Sequence, residues 1–287
     1  MDEIISKAAT LIEALPYIQR FQSDIFVVKY GGSFMDSPNE EERHRVARDV
    51  VFLEAVGINP VIVHGGGKPI TRALEKAGLK AEFVGGLRRT DETAIGIVDE
   101  VLSRKINPEI VAAIEEFGGK ARGFAGSDIF RCRKLERLDG VDLGFVGEVT
   151  KVNTGPLREC IRWGVTPVIS PTARGDDGRT YNCNADIAAA KTAIALKARR
   201  LVFMSDVPGL LRDPNNNSSL MRHLRANEVP ELKRTGVIEK GMIPKVDSAV
   251  TAIGSGVEKV QFVDGRIPHS VLLEIFTDAG VGTEVVL

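Results

Sequence analysis

The sequence lacks most of the features that would narrow its chemistry at once. It has three cysteines in 287 residues, Cys132, Cys160 and Cys183, and no C-x-x-C pair among them. That spacing excludes a zinc site and a disulfide framework, so a reducing cytoplasm is the expected setting. An excess of one charge is missing too: 38 Lys and Arg stand against 39 Asp and Glu. The two signs are interspersed, which leaves no basic face to grip nucleic acid, and the charge runs read as solvated surface. Apolar runs stop well short of the ~20 residues needed to cross a bilayer. The N-terminus carries no signal-peptide core, and the chain is expected to be soluble, with no membrane partner. Two familiar nucleotide fingerprints are also absent. There is no G-x-G-x-x-G dinucleotide motif, and the nearest approach to a P-loop puts Pro69 after Lys68 where Ser or Thr belongs.

What is present is regular alternation. Apolar, β-rich runs at 25–30, 60–64, 121–124, 166–170, 201–205 and 260–264 are separated by helical patterns. Strands apolar on both faces belong to a mostly parallel sheet covered by helices on each side, so the expectation is an α/β chain. Gly57 and Gly164 each precede a strand with proline three residues on, the punctuation of a helix exit. Segments 131–149 and 171–182, the latter with Asp177-Gly178, read as hairpins projecting from the sheet. Segment 213–219, rich in asparagine, reads as a surface loop.

Two strands break into glycine. Val27-Val28-Lys29-Tyr30 runs into Gly31-Gly32, and Val61-Ile62-Val63-His64 into Gly65-Gly66-Gly67. Glycine lets backbone N–H groups turn toward an anion, and Lys29 adds a point charge at the mouth of the strand. One such loop is ordinary turn chemistry; two loops with a lysine suggest facing phosphate sites. Asn182, Asn184 and Asp186 crowd the entrance of a helix expected over 187–198. Either Asn184 or Asp186 serves as its cap, or the group binds a polar substrate and holds nearby lysines. Lys245 follows Pro244 just ahead of a helix expected over 246–254. A cation there is unfavourable unless an anion sits beside it, which makes Lys245 a functional candidate. His64 ends a buried strand and is read as structural. Residues 1–21 carry apolar positions Ile4, Ala8, Leu11 and Leu15 at helical spacing, an amphipathic helix that packs either on its own domain or on another subunit.

Taken in order, Lys29-Tyr30-Gly31-Gly32, His64-Gly65-Gly66-Gly67, Gly86-Leu87-Arg88, Asn182 to Asp186, Ser205-Asp206-Val207-Pro208-Gly209 and Gly241 to Lys245 resemble the amino acid kinase family nearly end to end. Within it they are most similar to the arginine-sensitive members that phosphorylate N-acetyl-L-glutamate in the second step of arginine biosynthesis. The resemblance implies a three-layer α-β-α sandwich with an N-terminal helix at 1–22, an amino-acid lobe at 23–195 and a nucleotide lobe at 196–287 sharing one sheet. It implies ATP with Mg2+, the magnesium carried by the nucleotide and not by protein ligands. Lys29 and Lys245 would neutralise the transferring phosphoryl group, with Asp186 orienting both. Gly31, Gly32, Gly65 and Gly66 would donate backbone N–H groups to phosphate, Gly65 and Gly66 also meeting the acceptor. Arg88 and Asn182 would hold the acceptor's α-carboxylate and acylated nitrogen, and Ser205 and Asp206 would meet the nucleotide. It further implies inhibition by L-arginine near Tyr17, His269, Glu274 and Gly282, and a homohexamer built as a trimer of dimers through the N-terminal helix.

The chain departs from the family pattern at Glu239-Lys240-Gly241 and at Lys68-Pro69, which touches the local nucleotide contacts and not the catalytic set. Two rival readings are a family member acting on another acceptor, such as a carrier-linked amino acid, and a binding protein that kept the fold without the activity.

Overall fold

The structure, a computed structural model, describes residues 2–31, 40–136, 140–239, 241–278 and 280–287. Gly32 and Lys240, both singled out above, lie outside the described residues. In chain order, α1 (Asp2–Phe21), β1 (Ile25–Tyr30), α2 (Glu40–Ala55), β2 (Asn59–His64) and α3 (Gly67–Lys76) come first. A short hairpin, β3 (Phe83–Val84) and β4 (Leu87–Arg88), leads into α4 (Glu92–Val101), a π-helical turn at Leu102–Ile106 and α5 (Asn107–Glu116). Next are β5 (Ala121–Phe124), α6 (Gly126–Ile129), β6 (Phe130–Lys134), β7 (Gly147–Val152), α7 (Gly155–Arg162) and β8 (Thr166–Ile169). The chain goes on through β9 (Thr172–Gly175), β10 (Thr180–Asn182), α8 (Ala185–Leu196), β11 (Arg200–Ser205) and β12 (His223–Arg225). It ends with α9 (Val229–Arg234), α10 (Met242–Gly254), β13 (Lys259–Asp264), α11 (Ser270–Phe276) and β14 (Thr283–Val286).

Among the described residues one sheet runs β12-β14-β13-β11-β1-β2-β8-β5, parallel throughout except between β13 and β14. Strand alternation divides its side chains between two cores. Val27, Val61, Val63 and Leu201 pack with the alanines of α8 and α10 on one face. Phe26, Val28, Ile62 and Val202 pack with α2 to α5 and α11 on the other. Covering helices on both sides explain why these strands are apolar at nearly every position. The result is the three-layer α/β architecture that the alternation implied. Gly57 and Gly164 adopt φ of +85° and +61°, the left-handed geometry expected at helix exits.

Both expected hairpins form, β6 with β7 and β9 with β10, and they join edge to edge into a second sheet ordered β10-β9-β6-β7. Two helix boundaries need correction. The helix expected over 187–198 spans Ala185–Leu196, because Asn184 caps it two residues early and Lys197 ends it in the left-handed region. The helix expected over 246–254 begins at Met242, since Pro244 is tolerated in a first turn whose N–H groups need no intrahelical partner. The expected loop at 213–219 contains a single 3-10 turn at Asn217–Ser219. Helix α1 buries Phe21 but leaves Leu11 and Ile12 each 67% exposed. No described helix is long and apolar enough to cross a membrane.

Candidate active site

The site lies along the C-terminal edge of the parallel strands, where open α/β sheets bind ligands. Strand β1 delivers Lys29 on the same face as Val27, toward α8. Four alanines of α8, Ala188, Ala189, Ala190 and Ala193, are buried against that face. Their small side chains let the helix approach closely enough for Asp186, in its first turn, to meet Lys29. Lys29 Nζ lies 3.0 Å from Asp186 Oδ1, an ion-pair contact out of line for a hydrogen bond. Lys245, in the first turn of α10, donates to Asp186 Oδ2 at 2.8 Å. The entrance of α8 therefore divides its work: Asn184 Oδ1 accepts the N–H groups of Asp186 and Ile187, so Asn184 is the cap and Asp186 is free for the lysines.

The electrostatics follow from burial. Loss of solvent would raise the Asp186 carboxyl, but the two ammonium groups outweigh it and bring the pKa down to about 2. Burial pushes Lys29 downward, opposed by Asp186 and reinforced by Lys245. Asp186 stays ionised and holds two cations beside one another.

Across the cleft, the β3–β4 turn uses Gly85 and Gly86, both at positive φ, to fold Arg88 back over the start of α3. Arg88 Nη2 donates to the Gly67 carbonyl at 2.8 Å and to Thr71 Oγ1 at 2.9 Å, and its guanidinium lies 4.6 Å from the Phe83 ring centroid. Its Nη1 is buried with no hydrogen-bond partner, a donor pair available to a ligand. Asn182 lines the same cleft, and its Nδ2 donates to Thr90 Oγ1 at 3.2 Å. Lys29, Gly65, Gly66, Arg88, Asn182 and Asp186 all line one cavity of about 210 Å³. Six of the residues expected at the site thus come together in a single cleft. The roles of the Gly67 carbonyl and Thr71, which hold Arg88, were not foreseen, because a backbone carbonyl and a lone helical threonine carry no signal in sequence.

Gly31 is buried directly after β1. The Gly65 N–H donates to the Tyr30 carbonyl at 2.8 Å, so in this structure it is engaged between β1 and β2 and does not face a phosphate. This corrects the expectation for that one donor. Ser205, buried, ends β11 beside β1, and Asp206 next to it is exposed. His64 is wholly buried, and burial pushes its imidazole down to about 4, so the ring is neutral at physiological pH.

The residues expected around an effector come together only in part. Glu274 Oε2 accepts the N–H groups of Val281 and Gly282 at 2.7 and 2.9 Å, and Oε1 accepts from Gln261 Nε2 at 2.7 Å. The Tyr17 hydroxyl donates to Asp278, tying α1 to the same C-terminal segment. His269 instead pairs with Asp49 of α2 at 2.5 Å.

Residues 24–264 match the amino acid kinase family profile. The acetylglutamate kinase of Clostridium beijerinckii is 48% identical over 282 residues, covering 97% of this chain and 98% of that one. Among solved structures, N-acetylglutamate synthase from Neisseria gonorrhoeae, complexed with coenzyme A and N-acetyl-glutamate, superposes with a TM-score of 0.87 at 27% identity. The match covers 98% of this chain and 63% of that longer one. The same synthase complexed with coenzyme A and L-arginine superposes with a TM-score of 0.82 at 27% identity, over 97% of this chain and 65% of that one.

Proposed function

This chain belongs to the amino acid kinase family, and from that footing we propose that it transfers the γ-phosphoryl group of ATP to the γ-carboxylate of N-acetyl-L-glutamate, giving N-acetyl-L-glutamyl 5-phosphate and ADP. The observation that carries the reading is the Lys29–Asp186–Lys245 group facing Arg88 and Asn182 across one small cleft, in a chain 48% identical to an acetylglutamate kinase over nearly its whole length.

Phosphoryl transfer asks for positioning and charge neutralisation more than covalent help. Lys29 and Lys245 neutralise the oxygens of the transferring group, and Asp186 keeps their ammonium groups side by side. Arg88 presents its unpartnered Nη1 to the acceptor's α-carboxylate, and Asn182 presents its amide oxygen to the acylated N–H. The attacking γ-carboxylate is already ionised at neutral pH, so no general base is required. Neutral His64 is consistent with that. The acceptor sits in the 23–195 lobe, and the nucleotide lies toward Ser205 and Asp206 in the 196–287 lobe.

The cleft's donor set does not suit a protein-held magnesium ion: both Asp186 oxygens face ammonium groups, and no group of three or more His, Cys, Asp or Glu side chains that could hold a metal ion is found among the described residues. Magnesium would arrive on the nucleotide, where it neutralises phosphate oxygens.

L-Arginine is the proposed inhibitor, held near Tyr17, Glu274 and Gly282. The gonococcal relative crystallised with L-arginine and the Tyr17–Asp278 tie support this. A second copy of the chain covers the exposed apolar stripe of α1, the contact that would build a hexamer. The buried free cysteines fit a cytoplasmic setting.

The test is trapping of the acyl phosphate as a hydroxamate. Product should require ATP, magnesium and N-acetylglutamate together; its absence with the full mixture would refute the reaction.

A further inference from the structure

We infer that His64 and Asn107 are positioning residues for phosphoryl transfer, fixing the peptide between Gly65 and Gly66 so that the Gly66 N–H is aimed into the cleft. The inference rests on the reaction proposed above, because it assigns the transferring phosphoryl group as what that N–H meets.

His64 Nδ1 lies 3.1 Å from the Gly65 carbonyl oxygen. A carbonyl only accepts, so Nδ1 carries the hydrogen and Nε2 is left with its lone pair. Asn107 Nδ2 donates to that Nε2 at 3.2 Å. The same amide nitrogen donates to the Val168 carbonyl at 3.0 Å and reaches the Phe124 carbonyl at 3.5 Å. The ends of β2, β5 and β8 therefore meet at one buried side chain. Gly123 makes room for it: a Cβ there would lie 2.1 Å from Asn107 Oδ1.

The Gly65 residue is consequently held from both sides. Its N–H donates to Tyr30, and its carbonyl accepts from His64. In a planar trans peptide the C=O and the following N–H point in opposite directions. With the Gly65 carbonyl turned toward the buried imidazole, the Gly66 N–H faces away from it, on the side where Gly66 lines the cleft. The Gly66 Cα is fenced as well, since a Cβ would stand 2.7 Å from Leu102 Cδ2 and 2.8 Å from Ile106 Cδ1. Both leucine and isoleucine belong to the π-helical turn that ends immediately before Asn107. One irregular turn thus brings apolar side chains onto Gly66 and a polar one onto His64, in keeping with the frequent use of π-turns at functional sites.

Three proteins test this: the wild type, His64→Leu, which removes the Nδ1 donor, and His64→Asn, whose amide can donate near the same point. Each is assayed for ADP formation with N-acetylglutamate, for thermal melting, and for affinity toward ADP with aluminium fluoride and N-acetylglutamate, a mimic of the planar phosphoryl group. His64→Leu should lower kcat by about 10- to 100-fold, as expected when a transition-state donor is misaimed, with KM values little changed. The aluminium fluoride complex should weaken in parallel, and His64→Asn should recover most of both. Unchanged kcat in His64→Leu, or an equal fall in both variants that follows their melting temperatures, would overturn the inference. Should His64→Leu not fold, nitrogen NMR of the wild-type imidazole decides: protonated Nδ1 with bare Nε2 is expected, and the opposite tautomer refutes the geometry. Absence of wild-type turnover with N-acetylglutamate would instead sink the proposed reaction, a failure the tautomer measurement does not share.

Discussion

Lys29 Nζ lies 3.0 Å from Asp186 Oδ1, with each side chain more than nine-tenths buried. A lysine and an aspartate removed from water in this way stabilise a fold only weakly once desolvation is counted, so their placement is better explained by what they attract. Lys29, Lys245 and Arg88 carry three positive charges around the cleft against the one negative charge of Asp186. The surplus suits an anionic acceptor and a phosphoryl group.

Asp186→Asn should leave Lys29 buried without its counter-charge. We expect a loss of about 3 kcal/mol in unfolding free energy and loss of most turnover. The pH dependence carries a sign. The Asp186 pKa of about 2 lies below its unfolded value, so its contribution is fully present above about pH 4 and is lost as pH falls through 2. Chemical denaturation at a series of acidic pH values should therefore show the gap between wild type and variant closing across that window.

Lys29→Ala and Lys245→Ala should each reduce kcat on the order of 10²-fold or more while the protein still folds, since in the proposed reaction each removes a cation that acts on charge developing in the transition state. A coupled ADP assay reads this directly. A binding protein without activity would have no turnover to lose.

Arg88→Lys should raise KM for N-acetylglutamate roughly 10-fold or more and leave KM for ATP nearly unchanged. A lysine cannot hold the Gly67 carbonyl and Thr71 with one nitrogen while offering a second to a carboxylate. Initial-rate kinetics with each substrate varied in turn separate the two constants.

Glu274→Gln should weaken the proposed inhibition by L-arginine at least ~10-fold, the scale of a lost charge-assisted contact, with kcat little affected. Glu274 organises the Val281–Gly282 backbone and does not line the Lys29 cleft. Inhibition curves for wild type and variant check it.

The layered fold was legible because residues such as Phe26 and Val27 feed opposite cores, leaving no polar face to mislead. The candidate cleft was legible through charge: Lys29 stands at the mouth of a strand that breaks into glycine, and Lys245 in a first helical turn where a cation is unfavourable without an anion beside it. What stayed hidden depends on contacts with no local signature. Asn184 and Asp186 are equally good caps on paper, and only the approach of α8 to β1 assigns one to the helix and the other to the lysines. The π-helical turn has an ordinary helix-forming sequence, so nothing announced that Asn107 would reach His64. The engaged Gly65 N–H follows from the register of β1 on β2, which sequence alone does not fix.

The proposed reaction is tested most directly by ATP turnover with magnesium and N-acetylglutamate, set beside glutamate, aspartate and carbamate as acceptors. ADP should form with N-acetylglutamate and little with the other three, because the proposed contacts of Asn182 and Arg88 ask for an acylated nitrogen next to a carboxylate. Equal or greater turnover with an unacylated acceptor, or none with any of the four, would contradict it.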